Sequence, residues 1–302
     1  MIGRTLLWMS EKQSVQRFIS NSKLTRGVVD RFVAGYGLED AIEAIKDLNS
    51  RNIGGILDLL GEGVTDAGGA AAAADEYLTS IKRIQETGID TTVSVKLTQL
   101  GLAFDKGAAI DRLRVLSAEA QAAGTRVEID MEQSEYVFDT IDVYRLLQAD
   151  FPDLRLAIQA YMRRTPVDLE TMAALKPKVR LVKGAYAEPE DIAFQKKNEI
   201  DAQYRFLIDW LFERGDDPAI ATHDHRLIDY ARRVADRRGL SDRWEVQMLY
   251  GIRRDLQDEL AAAGCRVRVY VPFGSAWYPY LMRRMAERPA NLGFFLRSVA
   301  GK

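Results

Sequence analysis

The chain alternates between two kinds of segment. Short runs of β-branched and apolar residues, typical of buried strands, are followed by longer amphipathic runs rich in Ala, Leu and Arg, typical of helices. The predicted strands cover residues 54–61, 91–97, 126–131, 154–160, 179–185, 218–223, 244–249 and 266–272. The predicted helices cover residues 67–87, 107–123, 134–149, 166–175, 189–214, 224–238, 253–263 and 275–288. Such alternation indicates βα units and a parallel sheet.

Eight such units over about 250 residues are the number and size of a (β/α)8 barrel, so we expect an α/β fold of the TIM type. A doubly wound sheet is the weaker alternative, because it normally carries a glycine-rich phosphate loop and the sequence has no GxGxxG or GxxxxGK[ST] motif. Residues 1–50 precede the first strand and read as two or more helices that plug the barrel bottom or pack on its side. No linker interrupts the pattern, so we expect one domain over 1–302 with its barrel at 54–290.

Composition narrows the class of protein. With 302 residues, 47% hydrophobic and 28% charged, the chain can bury a sizeable core, and its 42 basic against 44 acidic residues argue against a nucleic-acid partner. A lone cysteine, Cys265, excludes a disulfide framework. The chain has only two histidines, His223 and His225, and no second cysteine, so the sequence predicts no metal site. No apolar run has the length of a membrane span and the N-terminus lacks a signal-peptide pattern, so we expect a cytoplasmic protein.

Polar residues stand at the ends of most predicted strands, where a barrel of this type binds its ligands. They are Glu62, Lys96, Thr98, Asp130, Glu132, Gln159, Tyr161, Lys183, Tyr186, Thr222, His223, Asp224, Gln247 and Tyr270, with Arg180 further back. Each has a structural alternative: Lys96 or Asp130 could form an ion pair between strands, and His223 could cap a helix. Together they predict a polar, mostly cationic cup that suits an aromatic cofactor carrying phosphates and a small anionic substrate.

The last predicted helix carries a charged stripe. Helical spacing puts Tyr280, Arg283, Arg284 and Glu287 on one face and Leu281, Met282 and Met285 on the other. Two adjacent guanidinium groups suit bidentate capture of a carboxylate or phosphate. The alternative is a solvated surface stripe, which is the usual place for a charge run.

Seven motifs occur in the order found in one enzyme family: VSVKLTQLGL, EIDMEQ, LAIQAYMRR, VRLVKGAY, ATHD, VQMLYG and YVPFG…YLMRR. Over residues 54–290 the chain resembles proline dehydrogenases of the monofunctional bacterial form, and it is similar to the first catalytic domain of bifunctional proline utilisation A. The resemblance implies a distorted barrel with its last helix over the mouth, noncovalent FAD, and oxidation of L-proline to Δ1-pyrroline-5-carboxylate with a quinone as electron acceptor. It also implies a separate pyrroline-5-carboxylate dehydrogenase, because no aldehyde dehydrogenase segment is present, and at most peripheral contact with the inner face of a membrane.

The same resemblance assigns roles to residues. Lys96, Arg283 and Arg284 match ligands of the substrate carboxylate; Leu249, Tyr270 and Tyr280 match walls of the substrate pocket. Asp130 matches an essential acidic residue, and Glu62 matches a gate that pairs with Arg283. Arg180 matches an arginine near flavin N5, and the other expected FAD contacts are Met131, Gln159, Lys183, Gly184, Ala185, Thr222 and His223.

Two other functions fit the residues taken alone. A lyase or aldolase on the same barrel would use Lys96 or Lys183 as a Schiff-base lysine. A non-catalytic barrel would only bind an anionic metabolite. A bound flavin distinguishes the first interpretation from both.

Overall fold

The fold is a closed parallel barrel. The computed structural model describes residues 31–61 and 64–287, with side chains described through Met282. Its strands are β1 Gly54–Leu59, β2 Thr91–Val95, β3 Val127–Ile129, β4 Arg155–Gln159, β5 Lys178–Val182, β6 Ala219–Ala221, β7 Glu245–Leu249 and β8 Val267–Phe273. Each strand pairs in parallel with the next, and β8 pairs with β1 to close the ring. The predicted (β/α)8 architecture is confirmed.

Helices alternate with the strands around the barrel. Within the described ranges they are α1 Leu38–Ser50, α2 Ala67–Thr87, α3 Lys106–Ala122, α4 Ser134–Leu147, α5 Thr165–Met172, α6 Lys197–Arg214, α7 His225–Arg238, α8 Arg254–Ala262 and α9 Trp277–Glu287, with a 3₁₀ turn at Ala173–Leu175. Several begin at a recognisable cap: Asp66, Asp105 and Asp224 each accept a backbone N–H of the following first turn. None of the helices in the described ranges is both long and apolar enough to cross a membrane.

One predicted helix is too long at its start. Helix α6 begins at Lys197, whereas the sequence pattern predicts a start at residue 189. The residues before it are tied to the loop after β4 instead: Phe194 donates its backbone N–H to Tyr161, and Arg163 donates its own to Ile192. These long-range bonds satisfy backbone groups that a continued helix would have used internally. The predicted strands also extend beyond the observed ones, by three residues after Val182, because their polar ends form loops at the barrel mouth.

The strands separate two environments. On β3, Val127 and Ile129 join the apolar layer between sheet and helices, while Glu128 between them contacts side chains of β5 and β7 across the barrel. The period of two therefore places apolar residues outward and charged residues inward. The inner face of this barrel is an ionic layer rather than the usual branched aliphatic filling.

The described part of the N-terminal segment packs on the side of the barrel. Helix α1 lies against β1 and β8 and buries Ile42, Ile45 and Leu48. Before it, Ala34 donates its backbone N–H to the carbonyl of Pro272, which extends the contact to the end of β8. Residues 1–30, where further helices are predicted, lie outside the described residues.

Candidate active site

Lys96 stands at the barrel mouth between two carboxylates. It directly follows β2, and its Nζ donates to Asp58 Oδ1 at 2.8 Å and to Asp130 Oδ2 at 3.0 Å. All three side chains are buried or nearly so. Burial lowers the pKa of Lys96, but the neighbouring charges together, with Asp58 the strongest, raise the pKa well above the usual value for lysine. Lys96 is therefore a fixed ammonium group.

Asp130 accepts four hydrogen bonds from side chains. Oδ1 accepts from Ser94 Oγ at 2.7 Å and Arg180 Nη1 at 2.5 Å, and Oδ2 accepts from Lys96 Nζ at 3.0 Å and Tyr270 Oη at 2.5 Å. These donors come from β2, β5 and β8 and from the residue after β2, so one carboxylate joins three parts of the ring. Burial would raise the pKa of Asp130, but Lys96 and Arg180 hold that pKa below its usual value. Asp130 is an ionised hub.

Arg180 lies in the middle of β5 and is 4% exposed. Its Nε and Nη2 donate to Glu128 Oε2 at 3.2 and 2.7 Å, and its Nη1 donates to Asp130. Its guanidinium carbon lies 5.3 Å from the centre of the Tyr270 ring, within cation–π range. Carboxylates on two sides and an aromatic ring therefore fix its position.

Asp58 and Glu128 belong to this cluster but were missed by the sequence analysis. Both lie inside strands of mainly apolar residues, in GGILDL and VEI. The available signal was the burial itself, since a charged residue in a fully buried strand needs a charged partner. The predicted mostly cationic cup is wrong in this respect: the described cations Lys96, Arg180 and Lys183 are each paired with a carboxylate.

Two predicted cofactor residues lie at the ends of β4 and β5. Gln159 donates from Nε2 to the Glu132 carbonyl at 2.7 Å, but its buried Oε1 accepts no hydrogen bond from the described part of the chain. Gly184 has φ +116°, and a Cβ there would lie 2.2 Å from the Tyr161 ring. The unsatisfied buried acceptor of Gln159 fits a ligand that carries an N–H donor. The missing side chain of Gly184 lets the Tyr161 ring pack against the backbone at the same end of the barrel.

The remaining predicted cofactor residues lie on the same end of the barrel. Lys183 follows β5 and donates to Asp201 Oδ1 at 2.6 Å. His223 follows β6, where its Nε2 accepts the backbone N–H of Leu249 at 2.9 Å, so that nitrogen carries no proton. Asp224, rather than His223, caps α7. Met131 and Thr222 are buried, and Ala185 directly follows Gly184.

Helix α9 begins just beyond the end of β8. Tyr280 is 5% exposed, and Leu281 and Met282 are fully buried. Burial of Tyr280 argues against a solvated stripe at that point of the helix. Arg283 and Arg284 belong to α9, but their side chains lie outside the described residues, and so does Glu62, the predicted gate.

Comparison with known proteins agrees with this geometry. The family model described as "Proline dehydrogenase" matches residues 41–297. The chain belongs to the proline dehydrogenase family. It is 38% identical to proline dehydrogenase 1 of Bacillus subtilis subsp. natto over the full length of both chains. It is 36% identical to proline dehydrogenase of Deinococcus radiodurans, covering 98% of this chain and 97% of that protein.

Solved structures of proline utilisation A share the fold. The Bdellovibrio bacteriovorus protein, inactivated by N-propargylglycine, superposes with a TM-score of 0.80 at 25% identity over 87% of this chain and 33% of that one. The Bradyrhizobium japonicum protein, in a variant form, gives a TM-score of 0.76 at 27% identity over 89% of this chain and 32% of that one. This chain therefore spans about a third of the bifunctional proteins. Among the described residues, no group of three or more His, Cys, Asp or Glu side chains is placed to hold a metal ion.

Proposed function

We propose that this member of the proline dehydrogenase family oxidises L-proline to Δ1-pyrroline-5-carboxylate, using noncovalently bound FAD and a quinone as the final electron acceptor. The observation that supports this most is the cluster of Lys96, Asp130, Arg180 and Tyr270, joined by hydrogen bonds at the mouth of the barrel. It offers a fixed cation for a carboxylate beside a second fixed cation and an aromatic wall.

The residues present fit FAD. The unsatisfied Oε1 of Gln159 can accept an N–H of a flavin ring. When bound, FAD supplies a two-electron acceptor for the oxidation. Arg180 would lie at the ring and favour negative charge there. The other proposed contacts are Met131, Lys183, Ala185, Thr222 and His223.

Lys96 has one donor to offer a substrate. An ammonium group carries three N–H bonds, and two of them are directed at Asp58 and Asp130. The third contact, to Tyr270 Oη, is long at 3.4 Å. We propose that the proline carboxylate takes this third N–H and that Arg283 and Arg284 bind the same group. Leu249, Tyr270 and Tyr280 would enclose the pyrrolidine ring.

The reaction removes two electrons and two hydrogens from proline. Its C5 carbon would lose a hydride to bound FAD, its ring nitrogen would lose a proton to water, and a C=N bond would form between the two atoms. Asp130 already accepts four hydrogen bonds and its pKa is lowered. We propose that its catalytic contribution is to hold Lys96, Arg180 and Tyr270 in place rather than to accept this proton.

A Schiff-base mechanism fits the site less well. A lysine nucleophile must be neutral, so its pKa has to be lowered. Around Lys96 the neighbouring charges, with Asp58 the strongest, together outweigh the effect of burial and raise the pKa. Lys183, the second candidate, is engaged by Asp201 at 2.6 Å. Lys96 is therefore held as a cation, and Lys183 is engaged in an ion pair.

We propose that Glu62 acts as a gate by pairing with Arg283.

Two partners complete the proposal. We propose that a separate pyrroline-5-carboxylate dehydrogenase consumes the product. This protein would be cytoplasmic and would reach the quinone through peripheral contact with the inner face of a membrane.

A spectrum of the purified protein tests the function. We expect a yellow protein with flavin absorbance, which bleaches when L-proline is added without oxygen and does not bleach with L-valine at the same concentration. N-propargylglycine, with which the Bdellovibrio relative was inactivated, should abolish the activity. A colourless protein that has no flavin after reconstitution with FAD would overturn the proposal.

A further inference from the structure

Glu128 is a fully buried carboxylate that receives hydrogen bonds from four other strands. Oε1 accepts from Thr92 Oγ1 on β2 at 2.7 Å and from Arg155 Nη1 on β4 at 3.5 Å. Oε2 accepts from Arg180 on β5 and from Gln247 Nε2 on β7 at 3.1 Å. With so many donors it is ionised, and the charges of Arg180 and Arg155 outweigh burial and hold its pKa far below the usual value.

The geometry of the contact to Arg180 is specific. Both Nε and Nη2 of that guanidinium meet the same oxygen of Glu128, at 3.2 and 2.7 Å. The contact fixes the plane of the guanidinium from one side, while Asp130 holds Nη1 from the other. A rigid fork held at two points cannot rotate without breaking a charge-assisted bond.

The other carboxylates of the ionic layer have different partners. Glu245 and Asp217 both accept from Arg155, and Asp217 also accepts from Arg126 and Arg266. Among the described residues, Glu128 and Asp130 are the carboxylates that pair with Arg180. Asp130 also pairs with Lys96, whereas the side-chain partners of Glu128 in the described part of the chain are Thr92, Arg155, Arg180 and Gln247.

We propose that Glu128 is the positioning residue of Arg180, which it orients and whose charge it partly offsets, and that it thereby sets the reduction potential of the bound flavin. The inference rests on the proposed function, since it assumes that Arg180 lies at the flavin. It adds a residue that does not touch substrate or cofactor and acts through another side chain.

Replacement by an isosteric neutral group tests the idea. In Glu128→Gln the charge of Arg180 is less offset, so reduced, more negative flavin is favoured. A unit charge about 10 Å from a redox group changes the equilibrium between its oxidised and reduced forms about tenfold at an effective dielectric constant near 20. We therefore expect the midpoint potential of FAD to rise by about 30 mV, which is that tenfold change for two electrons.

A second variant has the opposite sign. Thr92→Val removes one hydrogen bond to Glu128 and keeps the charge of Glu128, so the carboxylate offsets the charge of Arg180 more strongly. The midpoint potential of the flavin should therefore fall, by an amount that corresponds to about a threefold change in the equilibrium between oxidised and reduced flavin. General loosening of the site would move both variants in the same direction. Asp217→Asn removes an equal charge from the loop before β6, where Asp217 is partly exposed and pairs with Arg155 rather than Arg180, so it should change the potential clearly less than Glu128→Gln does.

The flavin midpoint potentials of the wild type and the three variants are compared by anaerobic spectroelectrochemical titration. A rise in Glu128→Gln that clearly exceeds any change in Asp217→Asn, together with a fall in Thr92→Val, supports the proposal, and shifts of the same sign in Glu128→Gln and Thr92→Val overturn it. Unchanged potentials in both Glu128→Gln and Thr92→Val overturn it, and if Glu128→Gln does not fold, an unchanged Thr92→Val alone overturns it. Wild-type protein without flavin, or with flavin that proline does not reduce, would instead refute the proposed function.

Discussion

Replacing Asp130 by Asn tests the site at the point where most of its contacts meet. The substitution keeps the shape of the side chain, removes its charge and turns one acceptor oxygen into an N–H₂ donor. Ser94 and Arg180 meet one oxygen of Asp130, and Lys96 and Tyr270 meet the other. Whichever oxygen is replaced, two donors lose their acceptor and face another donor.

The size of the effect follows from these contacts. A hydrogen bond to a charged group contributes about 1.5–3 kcal/mol, so two lost bonds amount to about 3–6 kcal/mol. If half of this loss is felt in the transition state, about 1.5–3 kcal/mol is added to the barrier, which is about a tenfold to hundredfold loss in rate. We therefore expect Asp130→Asn to lower kcat/KM for L-proline by about tenfold to a hundredfold.

The assay is steady-state oxidation of proline with an artificial electron acceptor, on protein whose fold is checked by circular dichroism. Asp217→Asn is the matched control, because Asp217 also accepts from a buried arginine but belongs to the cluster around Arg155. The control should lose stability and keep kcat/KM within about threefold. An Asp130→Asn variant with near wild-type kcat/KM, or a control that loses as much, would refute the reasoning.

Three further outcomes are expected. Gly184→Ala places a Cβ 2.2 Å from the Tyr161 ring at φ +116° and should lower both FAD retention and melting temperature. Its control is Gly88→Ala, at φ +66° with open space around it, which should lower the free energy of unfolding by only about 1 kcal/mol in a chemical denaturation experiment. Burial raises the pKa of Asp217, but the surrounding arginines, with Arg155 the strongest, together lower it from 3.8 to about 2. Its stabilisation is present above pH 3.8 and lost as the pH falls towards 2, and denaturation against pH should show a loss of at most about 2 kcal/mol that Asp217→Asn abolishes. Arg284→Met should raise KM for proline about a hundredfold with FAD content unchanged, and a normal KM would exclude this arginine from the carboxylate site.

The architecture was predictable because its signal is repeated along the chain. Eight alternations of strand and helix patterns indicate the barrel even when single boundaries are wrong, as at the start of α6. That boundary depends on backbone bonds from Phe194 and Arg163 to distant loops. No local pattern carries this information, since the partners are about thirty residues away.

The site was predictable in part. Residues at strand ends were found because barrel topology brings such ends together, and Lys96, Asp130 and Tyr270 are indeed joined by hydrogen bonds. Asp58 and Glu128 were missed because they lie within apolar strands, where side-chain direction decides whether a charge faces the barrel interior. Pairing across the barrel is a long-range property, and among the described residues it places carboxylates against the cations of the expected cationic cup.

The central claim is that this barrel couples proline oxidation to a bound flavin. The most direct test is an anaerobic titration of the purified protein with L-proline, in which flavin absorbance and Δ1-pyrroline-5-carboxylate are measured together. We predict that the flavin bleaches with increasing proline and that one molecule of product appears for each flavin reduced. Bleaching without this product, or product formation while the flavin stays oxidised in the absence of any acceptor, would contradict the account.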